Sequence, residues 1–352
     1  MKNLVIIITV IGLGLFHSSQ VVAQDIHFSQ FYMNPLQQNP AMAGAVYGIE
    51  ANINYKDQWR AVGAPYKTFA LGYHMRYEKK RSQGGFLAGG VNFFSDKAGD
   101  SQMGTGQGNL AMAYHFKANE YNRIGGGVQV GYFQRKIDYT NLQWATQFDG
   151  TAYNASLPAG IPAGQASFTR MDVGAGVSWV YNNTGGDIKV TDNHDLNFTA
   201  GVAVMHINRP KFSFLNTDER LPMKVVLHGN GVISLGESSK MAVCPGFMYY
   251  RQGPAQEIYV GTLFRYLLAQ DSKFTGFRHG AALYGGAYLR TRDAITAKFI
   301  IEYAGWGFGV SYDINVSSLK VASNTRGGLE FSLRFVAPNP FMSTYGADHS
   351  RY

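Results

Sequence analysis

The residues able to do chemistry in this chain are nine histidines, one cysteine and a scatter of carboxylates. His17 falls in the leader discussed below. Of His27, His74, His115, His194, His206, His228, His279 and His349, none has a second histidine four residues on with a glutamate between, the spacing that holds zinc on a helix. Cys244 is the only cysteine, so an internal disulfide and a Cys-based zinc site are excluded. It reads as a small buried or lipid-facing hydrophobe. No Gly-x-Ser-x-Gly elbow and no phosphate-binding P-loop occurs. Gly125-Gly126-Gly127 lies within a strand pattern, where glycines serve packing or curvature rather than a phosphate cradle. These residues point to a protein that is not an enzyme, with no catalytic residues, no cofactor and no metal.

The elements that carry these residues are strands. Of the 352 residues only 15% are charged, against about 25% in an ordinary soluble protein. Aromatic residues make up 14% and there are 42 glycines, a mixture that suits strands and tight turns. The net charge is +8, yet the densest basic run is only Lys79-Lys80-Arg81 in a turn. No basic stripe with stacking aromatics exists, so nucleic acid is not an expected partner. Mean hydropathy is too low for a bundle of membrane helices but suits a barrel, where lipid-facing and lumen-facing residues alternate.

That alternation recurs along the chain. Phe69, Leu71, Tyr73, Met75 and Tyr77 alternate with Ala70, Gly72, His74 and Arg76. Ile295, Ala297, Phe299, Ile301 and Tyr303 face away from Lys298 and Glu302. A period of two predicts strands near 45–55, 66–77, 85–95, 105–116, 123–135, 169–181, 194–207, 223–234, 240–251, 256–267, 279–290, 294–303, 306–314 and 327–336. Segment 85–95 does not reveal which face points outward, and Pro245 interrupts 240–251, where a bulge is expected. An exported strand protein crosses a membrane only as a closed barrel, because backbone groups in lipid must pair internally. The expected fold is therefore an all-β transmembrane antiparallel barrel of about 14 strands. An even count lets both ends lie in the periplasm, with the long connection 136–168 outside and the tight turn at Ala304-Gly305 inside. The connection 182–193 is long for an inner turn. Glu50, Arg76, Asp172, Lys224, Glu257, Arg265, Lys298, Glu302, Glu330 and Arg334 fall on the lumen side, where burial favours ion pairing.

The chain starts with Lys2, an apolar run from Leu4 to Phe16, polar Ser18-Ser19-Gln20 and small residues ending at Ala23, the order of a secretory signal peptide over 1–23. The apolar run is short for a spanning helix, which needs about 20 residues. The mature chain is expected to begin at Gln24 or Asp25, with an arm over 24–44, the barrel over 45–336 and a periplasmic tail over 337–352. The arm holds two Asn-Pro steps, Asn34-Pro35 and Asn39-Pro40, which impose turns, and is too apolar for a free linker. It reads as a segment packed in or under the barrel mouth, as plug or docking surface.

The arm carries a resemblance. Phe28-Ser29-Gln30-Phe31, Asn34-Pro35-Leu36, Asn39-Pro40-Ala41 and Ala43-Gly44 resemble the start of the PorP/SprF family. Tyr55-Lys56-Asp57-Gln58-Trp59-Arg60 with Gly63-Ala64-Pro65 and Thr68, and Tyr312-Asp313 with Gly328 to Phe335, are similar to later parts of that family. Arg326, Gly328, Phe331, Leu333 and Phe335 also resemble the last-strand signal read by barrel-assembly machinery. The family resemblance implies an outer-membrane component of type IX secretion and gliding motility. Its implied partners are outer-membrane lipids, periplasmic ring subunits and secreted cargo with a C-terminal sorting domain, including adhesins. The residues expected to meet partners are Phe28, Ser29, Gln30, Phe31, Asn34, Pro35, Asn39 and Pro40 in the arm. Asp57, Gln58 and Trp59 are expected to meet partners or brace the barrel rim. A fatty-acid-transporter-like barrel, which also carries an N-terminal plug and an Asn-Pro-Ala step, is the alternative.

Overall fold

The computed structural model describes residues 25–60, 65–79, 84–99, 101–139, 142–160, 165–184, 196–214, 217–236, 239–270, 279–317 and 320–341. Fourteen antiparallel strands form one closed barrel. They are β1 (Ile49–Gln58), β2 (Tyr66–Tyr77), β3 (Gly85–Ala98), β4 (Met103–Lys117), β5 (Asn122–Asp138), β6 (Gln165–Asn182) and β7 (Leu196–Met205). The second half comprises β8 (Lys224–Ser234), β9 (Met241–Gln252), β10 (Ala255–Ala269), β11 (Ala281–Arg290), β12 (Ala294–Tyr303), β13 (Trp306–Asn315) and β14 (Arg326–Ala337). Each strand pairs with its neighbours in sequence. The seam closes where β1 meets β14, from Ile49 opposite Ala337 to Gln58 opposite Gly328.

The period-2 pattern is what the barrel wall reads. Leu110, Met112, Tyr114 and Phe116 are each more than half exposed on the outer face, while Ala111, Ala113 and His115 are buried inside. In β3 the outward face carries Leu87, Val91 and Phe93, and Ala88, Asn92 and Phe94 point inward. In β9 the pairing with β10 runs straight through Pro245, opposite Thr262. The pairing with β8 instead jumps from Asn230–Gly246 to Ile233–Val243. Proline has no N–H to give to that side of the ladder.

Connections after odd-numbered strands, including the long one between Asp138 and Gln165, gather at one end, called the loop end here. The tight Ala304-Gly305 turn and the end of β14 lie at the other, the turn end. β5 and β6 run for 17 and 18 residues. A tilted membrane strand needs about 9–11, so this side of the wall extends past the bilayer. β1 begins at Ile49, four residues later than the alternation predicts. Ala45, Val46 and Tyr47 keep the spacing of a strand but pack with Met42 and Val180 inside the barrel instead. The signal-peptide expectation over 1–23, most of the 182–193 connection and the tail beyond Phe341 lie outside the described residues.

Candidate functional site

The lumen is filled by the chain's own residues 25–47. Three one-turn 3-10 helices, Phe31–Met33, Pro35–Gln37 and Pro40–Met42, stiffen the segment. Pro35 and Pro40 each open a turn, where a missing N–H does no harm. The Asn39 side chain caps the third turn by accepting from the Ala41 N–H at 2.9 Å.

The arm crosses the whole barrel. Asp25 lies at the loop end, beside the last residue of β9 and the first of β8. Its carboxylate is 2.7 Å from His206 Nε2 and 3.5 Å from Lys224 Nζ, and Gln252 donates to it at 3.1 Å. His206 Nδ1 is 2.8 Å from Asp172, so the ring is held between two carboxylates. Burial alone would lower the His206 pKa, but the charges and hydrogen bonds of Asp25 and Asp172 override it and raise the pKa to about 9. Burial would raise the Asp25 carboxyl; the charges of His206 and Lys224 and the hydrogen bonds from His206 and Gln252 hold it far below the usual carboxylate range. His27 is pushed well below its ordinary pKa by burial and by the charges of Lys56, Arg290 and Lys224.

Further in, the barrel grips the arm by its backbone. The Ser29 and Gln30 N–H groups donate to the two oxygens of Glu330 at 2.6 and 2.8 Å. Lys298 donates to the Ser29 carbonyl, and Lys56 to that of His27 at 3.2 Å. Ser29 Oγ donates to Asp313 at 2.9 Å, and Asp313 in turn pairs with Arg290 at 3.1 Å. Ser332 donates to the Gln30 side chain at 2.8 Å. Midway, Asn92 donates to the Leu36 carbonyl, Asn39 to the Val177 carbonyl, and Ser178 to the Ala41 carbonyl. At the turn end Arg76 donates to the carbonyls of Gly44, Ala45 and Val46 while pairing with Glu78. The buried charges thus find partners in each other and in arm peptide groups, as their desolvation requires.

Glycines set how closely the arm approaches the wall. A Cβ at Gly127 would meet the Ala41 backbone nitrogen at 2.5 Å, and one at Gly201 the Asn39 amide at 2.6 Å. A Cβ at Gly176 would strike the Asn39 side chain, and one at Gly309 the Gln30 side chain.

Phe28, Ser29, Gln30, Phe31, Asn34, Pro35, Asn39 and Pro40 are therefore all buried against the wall. Phe31 packs edge-on to Tyr259 and Tyr288, and Asn34 borders a cavity of about 30 Å³. Asp57, Gln58 and Trp59 stand apart from this group, on the loop-end rim. Asp57 and Gln58 pair with both β2 and β14, and Asp57 binds Arg60 at 2.5 Å. Trp59 has φ 58° and donates its N–H to Gly327 at 3.3 Å. The even strand count brings the start of β1 and the end of β14 to the same turn end, Ile49 opposite Ala337, while Asp25 lies at the loop end, held by the His206–Lys224 cluster. The residues that sequence reasoning missed are Asp25, His206 and the wall glycines. Glycine at inward positions of otherwise regular strands was the available signal for the last.

A closed fourteen-stranded barrel with an apolar belt and a lumen filled by its own N-terminal segment is an outer-membrane barrel of the plugged kind. The chain belongs to the PorP/SprF family of type IX secretion system membrane proteins, whose family model matches residues 21–335. Among solved structures, the CymD monoaromatic hydrocarbon channel is 12% identical with a TM-score of 0.44, covering 90% of this chain and 95% of that one. A TodX monoaromatic hydrocarbon channel mutant is 10% identical with a TM-score of 0.42, covering 85% and 91%. BamA from Haemophilus ducreyi lacking POTRA domains 1–3 is 10% identical with a TM-score of 0.40, covering 83% and 70%. A comparison with curated proteins finds no match.

Proposed function

We propose that this barrel is a non-enzymatic anchor of type IX secretion, which supports the secretion or surface attachment of cargo such as gliding adhesins. Its partners in this reading are periplasmic ring subunits and cargo with a C-terminal sorting domain. Residues 1–23 act as the export signal. Family membership over residues 21–335 carries the reading. The occupied lumen adds physical support, because a barrel whose axis is filled by buried ion pairs and peptide hydrogen bonds suits holding partners better than passing solutes. The arm residues Phe28 to Pro40 then act by keeping the lumen filled, and a partner reaches them only when the arm leaves. The rim triplet Asp57, Gln58 and Trp59, half-buried at the loop end, is where a partner from that side would meet the barrel.

The test is deletion of the gene, with assay of the medium and cell surface for sorting-domain cargo, alongside pull-down of the tagged barrel. Loss of surface cargo and recovery of ring subunits are expected. Unchanged secretion and spreading would remove the reading.

A second reading, a carrier of hydrophobic solutes, draws on one observation. The β8–β9 ladder breaks at Pro245, beside a cavity of about 120 Å³ lined by Tyr32, Cys244, Leu263, Tyr284, Tyr288 and Ile300 among others. Uptake of a labelled fatty acid or aromatic hydrocarbon that depends on the barrel would favour it.

A further inference from the structure

The lipid-facing wall carries a groove of about 730 Å³ at the loop end of β3, β4 and β5, within the size range of ligand pockets. Its floor is the outward face of β4, where Gly104, Gly106 and Gly108 precede the large Leu110 and Met112. The strand register gives it three rows. Lys97 and Lys136 flank Gly104, Ser95 and Gln134 flank Gly106, and Phe93 and Tyr132 flank Gly108. Successive rows are about 7 Å apart and the two walls about 10 Å apart, from ordinary strand spacings. From the loop end inward, the rows run cationic, polar, aromatic.

Among the described residues nothing in the chain accounts for this arrangement. Glycine weakens a strand interior and commonly marks the close approach of something else. A Cβ at Gly106 or Gly108 would meet nothing nearer than 3.9 Å, so no described neighbour demands the empty space. The inward Gly127, Gly176, Gly201 and Gly309, by contrast, lie against the arm. The cations are equally unexplained. Lys67, Lys97 and Lys136 are exposed and share one register line, with Lys67 directly opposite Lys97, and like charges so placed destabilise a sheet. On its other side Lys67 faces Asp57, which Arg60 already engages. Among the described residues neither Lys97 nor Lys136 forms an ion pair. The nearest outward carboxylate on β5, Asp138, lines the groove one row further toward the loop.

We propose that this groove binds a phosphate-bearing lipid, with the headgroup phosphate between Lys97 and Lys136 and an acyl chain over Gly106 and Gly108 between Phe93 and Tyr132. The phosphate neutralises the lysine line at the level where headgroups begin, and the chain fills the volume that the glycines leave. The site is independent of the secretion reading, since it needs only that this wall face lipid.

The experiment is native mass spectrometry of the purified full-length barrel with dioleoyl phosphatidate, with dioleoylglycerol as a phosphate-free control and with inorganic phosphate as competitor. One phosphatidate is expected to stay bound. Lys97→Gln with Lys136→Gln removes two headgroup contacts, and retention should fall about tenfold or more. Gly106→Leu, which fills the groove without touching a charge, should lower it comparably, with an unchanged heat-induced gel shift as proof that the barrel is closed. Dioleoylglycerol should not bind, and excess inorganic phosphate should not displace the lipid. Equal retention by the lysine variant, equal binding of dioleoylglycerol, or displacement by inorganic phosphate would each overturn the proposal. If Gly106→Leu does not close, the lysine variant decides alone, because its changed side chains are exposed and bear no part in strand pairing.

Discussion

His206 shows how much a single residue can carry in this barrel. It holds a left-handed φ of 57°, a conformation that costs a non-glycine residue on the order of 1 kcal/mol, and uses it to turn its ring between Asp25 and Asp172. Its folded pKa of about 9 stands above the ordinary 6.5. The protonated ring therefore stabilises the arm's outer end fully below pH 6.5, and that contribution fades as pH rises through 9. A fluorophore attached at residue 26 should become mobile between pH 6.5 and 9, and His206→Gln should abolish that transition. A transition of the same size in the variant would show that another group controls the arm. At the other end, Arg76 is fully buried and donates to three consecutive arm carbonyls. Arg76→Met leaves those acceptors and part of Glu78 without a donor, and should destabilise arm docking by about 3–5 kcal/mol. Rapid protease cleavage within residues 44–48 of an otherwise closed barrel is the measurement, and resistance equal to wild type would refute it.

At the scale of elements, the wall and the arm fit through glycine. Gly176→Leu should expel Asn39 from its notch, breaking the third arm turn while β5, β6 and β7 stay paired. Limited proteolysis should then cut near residue 39 with the gel shift of the barrel intact; a protected arm would mean that the wall yields instead. Pro245→Val restores a donor to the β8 side of β9 and should raise thermal stability by about 1 kcal/mol, read as the temperature of the heat-induced gel shift. No change, or a fall, would mean that the break is set by something other than the missing N–H. The strands were legible because each needs only its own alternation: Tyr66–Tyr77 follows directly from Phe69 to Tyr77. The misfits have local causes. Val46 and Tyr47 keep strand spacing yet serve the arm, and β6 starts at Gln165, ahead of the alternation, with polar Ser167 and Thr169 exposed on its outer face. The route of the arm was not legible, because its partners are remote. Asp25 meets His206 across 181 positions and Ser29 meets Glu330 across 301, and no period in a sequence encodes such pairs. That the arm is apolar and turned was readable from Phe28, Phe31 and the Asn-Pro steps; that it lies lengthwise in the lumen was not.

For the whole molecule, the arm makes a solid rod of what would otherwise be a channel. Removing residues 25–44 should produce steady ion conductance in planar bilayers where the intact chain shows none, and equal conductance of the two would mean that water passes around the arm. The geometry also dictates an order of events. The arm runs from the loop end at Asp25 to the turn end at Val46, then feeds directly into β1, and β1 is half of the seam. The other half, β14, supplies Glu330, whose two oxygens hold Ser29 and Gln30. A sheet still open at that seam can receive the arm sideways, whereas a finished cylinder would have to be threaded end to end through a bore crowded with charges. The final zipping of β14 onto β1 therefore encloses a strand-long passenger already in position, and the bonds that lock the passenger form in the same step that shuts the door.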